Sequence, residues 1–163
     1  MKNWKKLAVC LAIPLAVGGL AGLLTAGGMK RFEELNQPPL SPPGWVFPVV
    51  WTILYLLMGY ASYRILISGA PSGEKGRALT AYGAQLAANF LWPILFFGLG
   101  WYLVAFLELL VLWTLVFVTM VRFYRIDPVA GDLLLPYLLW VTFAAYLNFG
   151  VYRLNGAAVG HFF

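Results

Sequence analysis

One apolar stretch of the sequence carries polar and aromatic side chains at helical spacing: Tyr82, Gln85, Asn89, Trp92 and Phe96. Residues three and four positions apart share a face of an α-helix, so this face offers both hydrogen bonds and flat rings. Pro93 has no N–H for the carbonyl of Asn89, which places an amide and a free main-chain oxygen together. The pattern is typical of a ligand-binding wall. The alternative is that Gln85 and Asn89 only tie neighbouring helices together.

Two further stretches repeat this combination of rings with small or polar neighbours. Trp51 and Tyr55 share a face with a glycine, and a later stretch places Tyr137, Trp140, Ala144 and Asn148 on one face. The small side chain of Ala144 predicts a gap beside the ring of Trp140. Indole walls with a few polar points suit a flat, largely apolar ligand.

Tryptophan in membrane proteins has a second common role, as part of a belt at the membrane surface. Trp4, Trp45 and Trp101 lie at the ends of apolar runs and fit that role. Trp51, Trp92 and Trp140 lie deeper within their runs and fit it less well. We therefore expect the deeper three to converge on a common hollow.

The sequence offers few residues for metal binding, for acid–base or nucleophilic catalysis, or for phosphate binding. Cys10 is the only cysteine and His161 the only histidine, so neither a cysteine nor a histidine metal site is expected. No nucleophile triad, paired catalytic carboxylates or phosphate-binding glycine loop occurs. Glu108, the one acidic residue inside an apolar run, is either a proton or cation site or a group that extends toward the short turn before the fourth helix or pairs inside the bundle. We predict no cofactor and no metal.

The composition is that of a membrane protein, with 62% hydrophobic and 10% charged residues. Five apolar runs are long enough to cross a membrane as helices, at about 7–28, 45–67, 78–97, 101–121 and 129–152. The sequence therefore predicts an all-α membrane protein, a single domain over 1–163 formed by a bundle of five transmembrane helices.

The connections suggest how these helices are arranged. Pro38, Pro39, Pro42 and Pro43 predict an ordered, extended loop that acts as a lid. A short connection at Gly98–Gly100 predicts that the third and fourth helices are antiparallel neighbours. Gly18, Gly22 and Ala26 form a ridge that lets another helix approach closely, and Pro136 predicts a kink in the last helix.

The net charge of +5 arises mostly between the apolar runs, which indicates topology and lipid headgroup contact, not nucleic-acid binding. With the N-terminus inside, eight of the basic residues considered fall on the inner side and three on the outer side. The outer ones are Lys30, Arg31 and Arg153. This distribution predicts the N-terminus inside and the C-terminus outside.

Three motifs, in this order and spacing, give the chain its resemblance to a known family: PPGWVFPVVWTILYLLMGY at 42–60, AQLAANFLWPILFFG at 84–98 and PYLLWVTFAAYLNFGVYRLN at 136–155. The chain resembles the TspO/MBR family of tryptophan-rich sensory proteins, related to the translocator protein or peripheral benzodiazepine receptor. The resemblance implies a five-helix bundle, often a homodimer, that binds porphyrins, benzodiazepine-type compounds and, in several members, sterols.

The resemblance also implies binding residues, namely Trp51, Asn89, Trp92, Trp140 and Ala144, to which the helix faces add Tyr55, Gln85 and Tyr137. The family's sterol motif corresponds to Leu147, Phe149 and Arg153, with Phe149 in place of its tyrosine. In the first loop, Pro39, Leu40 and Ser41 stand where the family usually has tryptophan, so an aromatic lid contact is absent.

Two functions follow as hypotheses. The first is a membrane receptor or binding protein for tetrapyrroles such as protoporphyrin IX and haem, acting in their transport or regulation. The alternative, which the resemblance implies, is an enzyme that degrades protoporphyrin under light or oxidant, with Trp51 and Trp140 as the catalytic residues. A solute exporter is disfavoured by the odd number of spans and by the lack of a charged pathway.

Overall fold

The computed structural model describes the main chain of residues 2–159 and the side chains of residues 3–155, so His161 lies outside the described residues. All regular structure within 2–159 is helical, which confirms the predicted all-α class. The helices are α1 (Lys2–Leu24), α2 (Gly28–Glu33), α3 (Val46–Leu66), α4 (Ser72–Pro93), α5 (Tyr102–Ile126), α6 (Pro128–Leu133) and α7 (Leu135–Val159), and α4 continues into a π-helical turn at Ile94–Gly98.

Four segments in the described part of the chain are long and apolar enough to cross a membrane: Asn3–Leu24, Val46–Leu66, Tyr102–Ile126 and Pro128–Asn155. The protein is therefore an integral, multi-pass membrane protein. α4 is not among these segments. It begins with polar residues, and it carries Gln85 and Asn89, which are almost completely buried among the other helices.

The sequence did not predict the two short helices. α2 forms in the segment predicted as a loop, and the predicted last helix is divided at Leu134 into α6 and α7. Pro136 consequently lies in the first turn of α7. A missing N–H costs little there, because the first turn has no intrahelical acceptor for it. The prediction that Pro136 kinks the interior of a helix is therefore wrong.

The helices pack as two connected groups. α4 and α5 are antiparallel neighbours, as predicted, and the short connection between them includes Gly100 at a φ of +69°. α5 also packs against α7, whereas α1 packs mainly against α3. The buried centre includes Met58 of α3, Leu109 and Leu112 of α5, and Val141 of α7, all at 0% exposure.

The proline loop is ordered, as predicted, but it is not extended throughout. Leu40 has a φ of +72°, and the N–H and hydroxyl of Ser41 both donate to the carbonyl of Pro38. Asn155 of α7 exchanges two hydrogen bonds with the main chain of Asn36, at 3.1 and 2.6 Å. The hydroxyl of Tyr146 donates to the carbonyl of Pro39 at 2.7 Å. The loop is therefore fastened to α7.

An ion pair joins the other end of α3 to the start of α6. Arg64 Nε donates to Asp127 Oδ2 at 2.8 Å, and Asp127 Oδ1 caps α6 by accepting from the N–H of Val129 at 3.0 Å. Burial alone would raise the pKa of Asp127. The hydrogen bonds from Arg64 and Val129 outweigh it and hold that pKa below its usual value.

Candidate ligand-binding site

A cavity of about 700 Å³ lies between α1, α2, α3 and α4. Its size falls within the range of roughly 300–1,000 Å³ that is usual for small-molecule sites. Apolar and aromatic side chains form most of its wall. The lining residues that matter below are Gly18, Gly22, Met29, Glu33, Gly44, Phe47, Trp51, Tyr55, Asn89 and Trp92.

The wall on the α1 side consists of small residues. Gly18 faces the ring of Tyr55 so closely that an added Cβ would overlap it. Gly22 lies one turn further along the same face, and an added Cβ there would meet no atom within 4 Å. The ridge predicted to bring helices together does so at Gly18, and beyond it the same small residues leave open space.

The wall on the α3 side is aromatic. Trp51 and Tyr55 are four residues apart, and their rings stack with centroids 5.7 Å apart and planes at 28°. Trp92 of α4 lies 6.4 Å from Trp51, centroid to centroid. The indole N–H of Trp92 donates to Asn148 Oδ1 at 2.9 Å, which fixes the orientation of its ring.

Polar groups form the floor of the cavity. Tyr55 donates to Asn89 Oδ1 at 2.8 Å, and Asn89 Nδ2 donates to the hydroxyl of Tyr137 at 2.7 Å. Tyr137 in turn donates to Gln85 Oε1. Only Tyr55 and Asn89 of this series line the cavity, because Tyr137 and Gln85 lie behind Asn89. Asn89 thus links α3, α4 and α7 by hydrogen bonds, and its side-chain amide also lines the cavity.

Trp140 and Ala144 do not line the cavity. The ring of Phe47 lies 6.0 Å from that of Trp140, centroid to centroid, and Phe47 itself forms part of the cavity wall. The space beside Ala144 is a void of about 10 Å³, too small for a ligand. The gap expected beside Trp140 is therefore filled, because an aromatic residue of α3 packs against it.

At the end of the cavity next to α2, which we call its mouth, the lining residues are Met29, Glu33, Gly44 and Trp45, of which Glu33 and Trp45 are exposed. None of Pro38, Pro39, Pro42 and Pro43 lines it. Pro38 is buried against Gly150 of α7, away from the opening. The four prolines therefore lie outside the cavity lining, and the residues of the predicted first loop that do line the cavity are Glu33 and Gly44.

The three residues of the sterol motif do not share a surface. Leu147 is 3% exposed and points into the bundle, whereas Phe149 is 41% exposed and packs on Phe106. Arg153 is exposed one turn beyond Phe149. A ligand on this face would contact Phe149 and Arg153 without Leu147.

The described residues contain no group of three or more His, Cys, Asp or Glu side chains that could hold a metal ion. Glu108 lies outside the cavity lining, and both its carboxyl oxygens are buried with no hydrogen-bond partner among the described residues. The expected pairing of Glu108 inside the bundle is therefore not found there.

The α1 wall was missed by reasoning from the sequence. The sequence feature that corresponds to this wall is the glycine ridge, which by its spacing predicts a contact surface between helices. Gly19 and Gly22, both of which line the cavity, contribute no side chain and have open space where one would be. A run of small residues opposite a row of tryptophans indicates a cavity as well as it indicates close packing.

Comparison with known proteins agrees with the motifs. A model of the TspO/MBR family matches residues 10–153. The chain is 37% identical to the tryptophan-rich protein TspO of Chlorobaculum tepidum over 150 residues, 91% of this chain and 95% of that protein. It is 44% identical to the tryptophan-rich sensory protein of Cereibacter sphaeroides over 124 residues, 76% of each. It is 39% identical to the translocator protein of Homo sapiens over 132 residues, 78% of this chain and 76% of that protein. The chain belongs to the TspO/MBR family.

Proposed function

We propose that the protein is a membrane receptor for tetrapyrroles, such as protoporphyrin IX and haem, and for related flat apolar ligands, acting in their transport or regulation. The cavity carries this proposal. Trp51 and Trp92 offer indole rings to a flat ligand, and Tyr55 and Asn89 supply polar atoms at its floor. The sensory and translocator names of the relatives are consistent with a protein that recognises a ligand in the membrane.

The same cavity would accept benzodiazepine-type compounds, which are also flat and largely apolar. Sterols are a weaker proposal, because Leu147 faces away from Phe149 and Arg153. Lipid surrounds the exposed apolar faces of the helices. We expect no bound cofactor beyond the ligand itself.

We propose α4 as the fifth membrane span. Its 22 residues measure about 33 Å as a helix, enough to cross a hydrocarbon core of about 30 Å. Gln85 and Asn89, in the second half of α4, are turned into the bundle, where lipid does not meet them, whereas the polar residues of its first turns, Ser72, Glu74 and Arg77, are exposed. Five spans place the two termini on opposite sides of the membrane, and the distribution of basic residues favours the N-terminus inside and the C-terminus outside. We further propose a homodimer, with an interface other than the ridge at Gly18, which faces α3 of its own chain.

The test is a titration of the purified protein in a non-ionic detergent with protoporphyrin IX, followed by the porphyrin absorbance band. Gly22→Phe places a ring in the cavity and is expected to weaken binding about tenfold or more, since filling the site excludes the ligand. Gly83→Phe is the matched control. Gly83 is also a helical glycine with no atom near a Cβ, but it does not line the cavity. Absence of saturable binding, or equal loss in both variants, would contradict the proposal.

Porphyrin degradation is the second candidate function. One observation favours it: Trp51 lines the cavity, where its indole could donate an electron to a light-excited porphyrin. Trp140, the second residue assigned to this role, is separated from the cavity by Phe47. Loss of porphyrin absorbance on illumination that requires Trp51 would support degradation, and retained affinity without loss would support the receptor.

A further inference from the structure

Among the residues that the structure describes, Glu33 is the only charged side chain that lines the cavity. All the other lining residues are apolar or neutral. Glu33 stands at the mouth, where α2 ends, and it is exposed there. A ligand seated between the indoles would therefore meet one negative charge, at one end.

The local sequence directs this carboxylate to the opening. Met29 and Glu33 are four residues apart on α2 and both line the cavity. Phe32 lies on another side of α2, 3% exposed, and packs against Phe47 and Phe97 with ring centroids 5.5 and 5.6 Å apart. Phe32 therefore anchors the helix that presents Glu33.

Gly44 makes room for the carboxylate. A Cβ at Gly44 would lie 3.0 Å from Glu33 Oε2 and 3.0 Å from Met29 Sδ. A side chain at this position would therefore require the ends of Glu33 and Met29 to shift by a few tenths of an ångström. Gly44 follows the last proline of the first loop, so the end of that loop is shaped around the acidic side chain.

No cation neutralises Glu33 within the part of the chain that is described. The ion pair found there is that of Arg64 with Asp127, at the other end of α3. Arg31, two residues before Glu33, donates instead to the carbonyls of Phe97 and Gly98. Because Glu33 is exposed, its charge is partly screened by water and salt and acts mainly on groups of a ligand that lie directly beside it.

We propose that Glu33 is a specificity-determining residue of the cavity. It favours ligands whose end at the mouth carries a positive charge or hydrogen-bond donors, and it disfavours a carboxylate at that end. This inference rests on the proposed function. It adds that, among flat ligands with the same ring, those with uncharged or cationic groups beside Glu33 bind more tightly than those with carboxylates there, so that protoporphyrin IX is bound with its carboxylates away from Glu33.

Three porphyrins with one ring and different charges test the inference. They are protoporphyrin IX with two carboxylates, its uncharged dimethyl ester, and its bis-amide with aminoethyl groups, which carries two ammonium groups. Each is titrated into the full-length protein in a non-ionic detergent, with wild type and Glu33→Gln compared. We expect Glu33→Gln to strengthen binding of the dicarboxylate and weaken that of the diammonium porphyrin by about threefold to tenfold each. The ester is expected to bind both proteins alike.

Glu34→Gln is the matched control, because Glu34 is adjacent and exposed but does not line the cavity. It is expected to change all three affinities by less than about twofold, since an exposed charge further from the ligand is screened. High salt should reduce the charge dependence seen in wild type. Equal affinities of wild type and Glu33→Gln for the charged porphyrins would overturn the inference while leaving the receptor function in place. Failure of wild type to bind any of the three would overturn both.

Discussion

Tyr55 of α3 donates a hydrogen bond of 2.8 Å to the side-chain oxygen of Asn89 on α4, at the floor of the cavity. Asn89 Nδ2 in turn donates a hydrogen bond of 2.7 Å to the hydroxyl of Tyr137 on α7. The atoms that a ligand would meet at the floor are therefore the same atoms that join three helices. Changes at this position are expected to alter folding stability and ligand binding together.

Tyr55→Phe removes the donor to Asn89 and leaves a buried oxygen without it. An unsatisfied buried acceptor costs about 1–3 kcal/mol, so we expect a lower free energy of unfolding and a lower Tm. Thermal unfolding in detergent, followed by circular dichroism, measures the change. Tyr124→Phe is the control, because Tyr124 is 52% exposed and has no such role. Equal stability of the two variants would show that the Tyr55 hydroxyl contributes nothing.

Helical periodicity predicted which side chains of α4, and of the π-helical turn that continues it, face inward. Tyr82, Gln85, Asn89, Trp92 and Phe96 are each no more than 6% exposed. Periodicity gives the direction of a side chain from its own helix, because that depends only on spacing. It does not state which residue of another helix stands opposite. Phe47 covers Trp140, and nothing in the spacing of either helix indicates this contact.

The mouth of the cavity could not be predicted for a related reason. The prolines of the first loop correctly indicated order, since they restrict the backbone. Their placement depends on Asn155 and Gly150, more than a hundred residues later, which hold the loop on α7. Such long-range contacts leave no local pattern, so the spacing of the prolines does not indicate that this segment lies on α7.

Trp51 and Trp140 are expected to differ in ligand binding. Trp51→Phe removes an indole that lines the cavity and should weaken protoporphyrin binding by about fivefold or more, since aromatic contacts contribute about 0.5–1.5 kcal/mol beyond their buried area. Trp140→Phe should leave the affinity within about twofold, because Phe47 separates Trp140 from the cavity. The porphyrin absorbance band reports both. Similar losses in the two variants would mean that the site extends to α7.

Glu108→Leu is expected to stabilise the protein. Both oxygens of Glu108 are buried with no partner among the described residues, and an unsatisfied polar group in an apolar setting costs roughly 1–3 kcal/mol. Glu108→Gln should give a smaller gain, because the amide remains polar. Thermal unfolding in detergent compares the three proteins. A lower Tm for Glu108→Leu would indicate that lipid, water or a second copy satisfies the carboxyl group.

The ion pair of Asp127 predicts a pH dependence of stability. Because folding lowers the pKa of Asp127, its contribution is fully present above the ordinary value of 3.8 and is lost as the pH falls through the lowered one. Asp127→Asn keeps an oxygen that can cap α6 but lacks this titration. We therefore expect wild type to have the higher Tm at neutral pH, and this advantage to decline progressively on acidification below about pH 4.

Asp132→Asn is the control for this comparison, because Asp132 is exposed on the same short helix and is not a partner of Arg64. Its Tm should follow that of wild type at every pH. A constant difference in Tm between wild type and Asp127→Asn across the acid range would mean that the charge of Asp127 contributes nothing.

The void beside Ala144 is closed by rings from α2, α3 and α4, whereas the large cavity lies on the side of α1. Under the proposed function, a ligand in the large cavity would meet Phe47 and Phe97 of this aromatic group but not Phe32 or Phe96. Substitutions along α1 can change the shape of the cavity while the packing of the rings from α2, α3 and α4 stays unchanged. The ligand preference of this chain could in this way have changed during evolution with little effect on its folding stability.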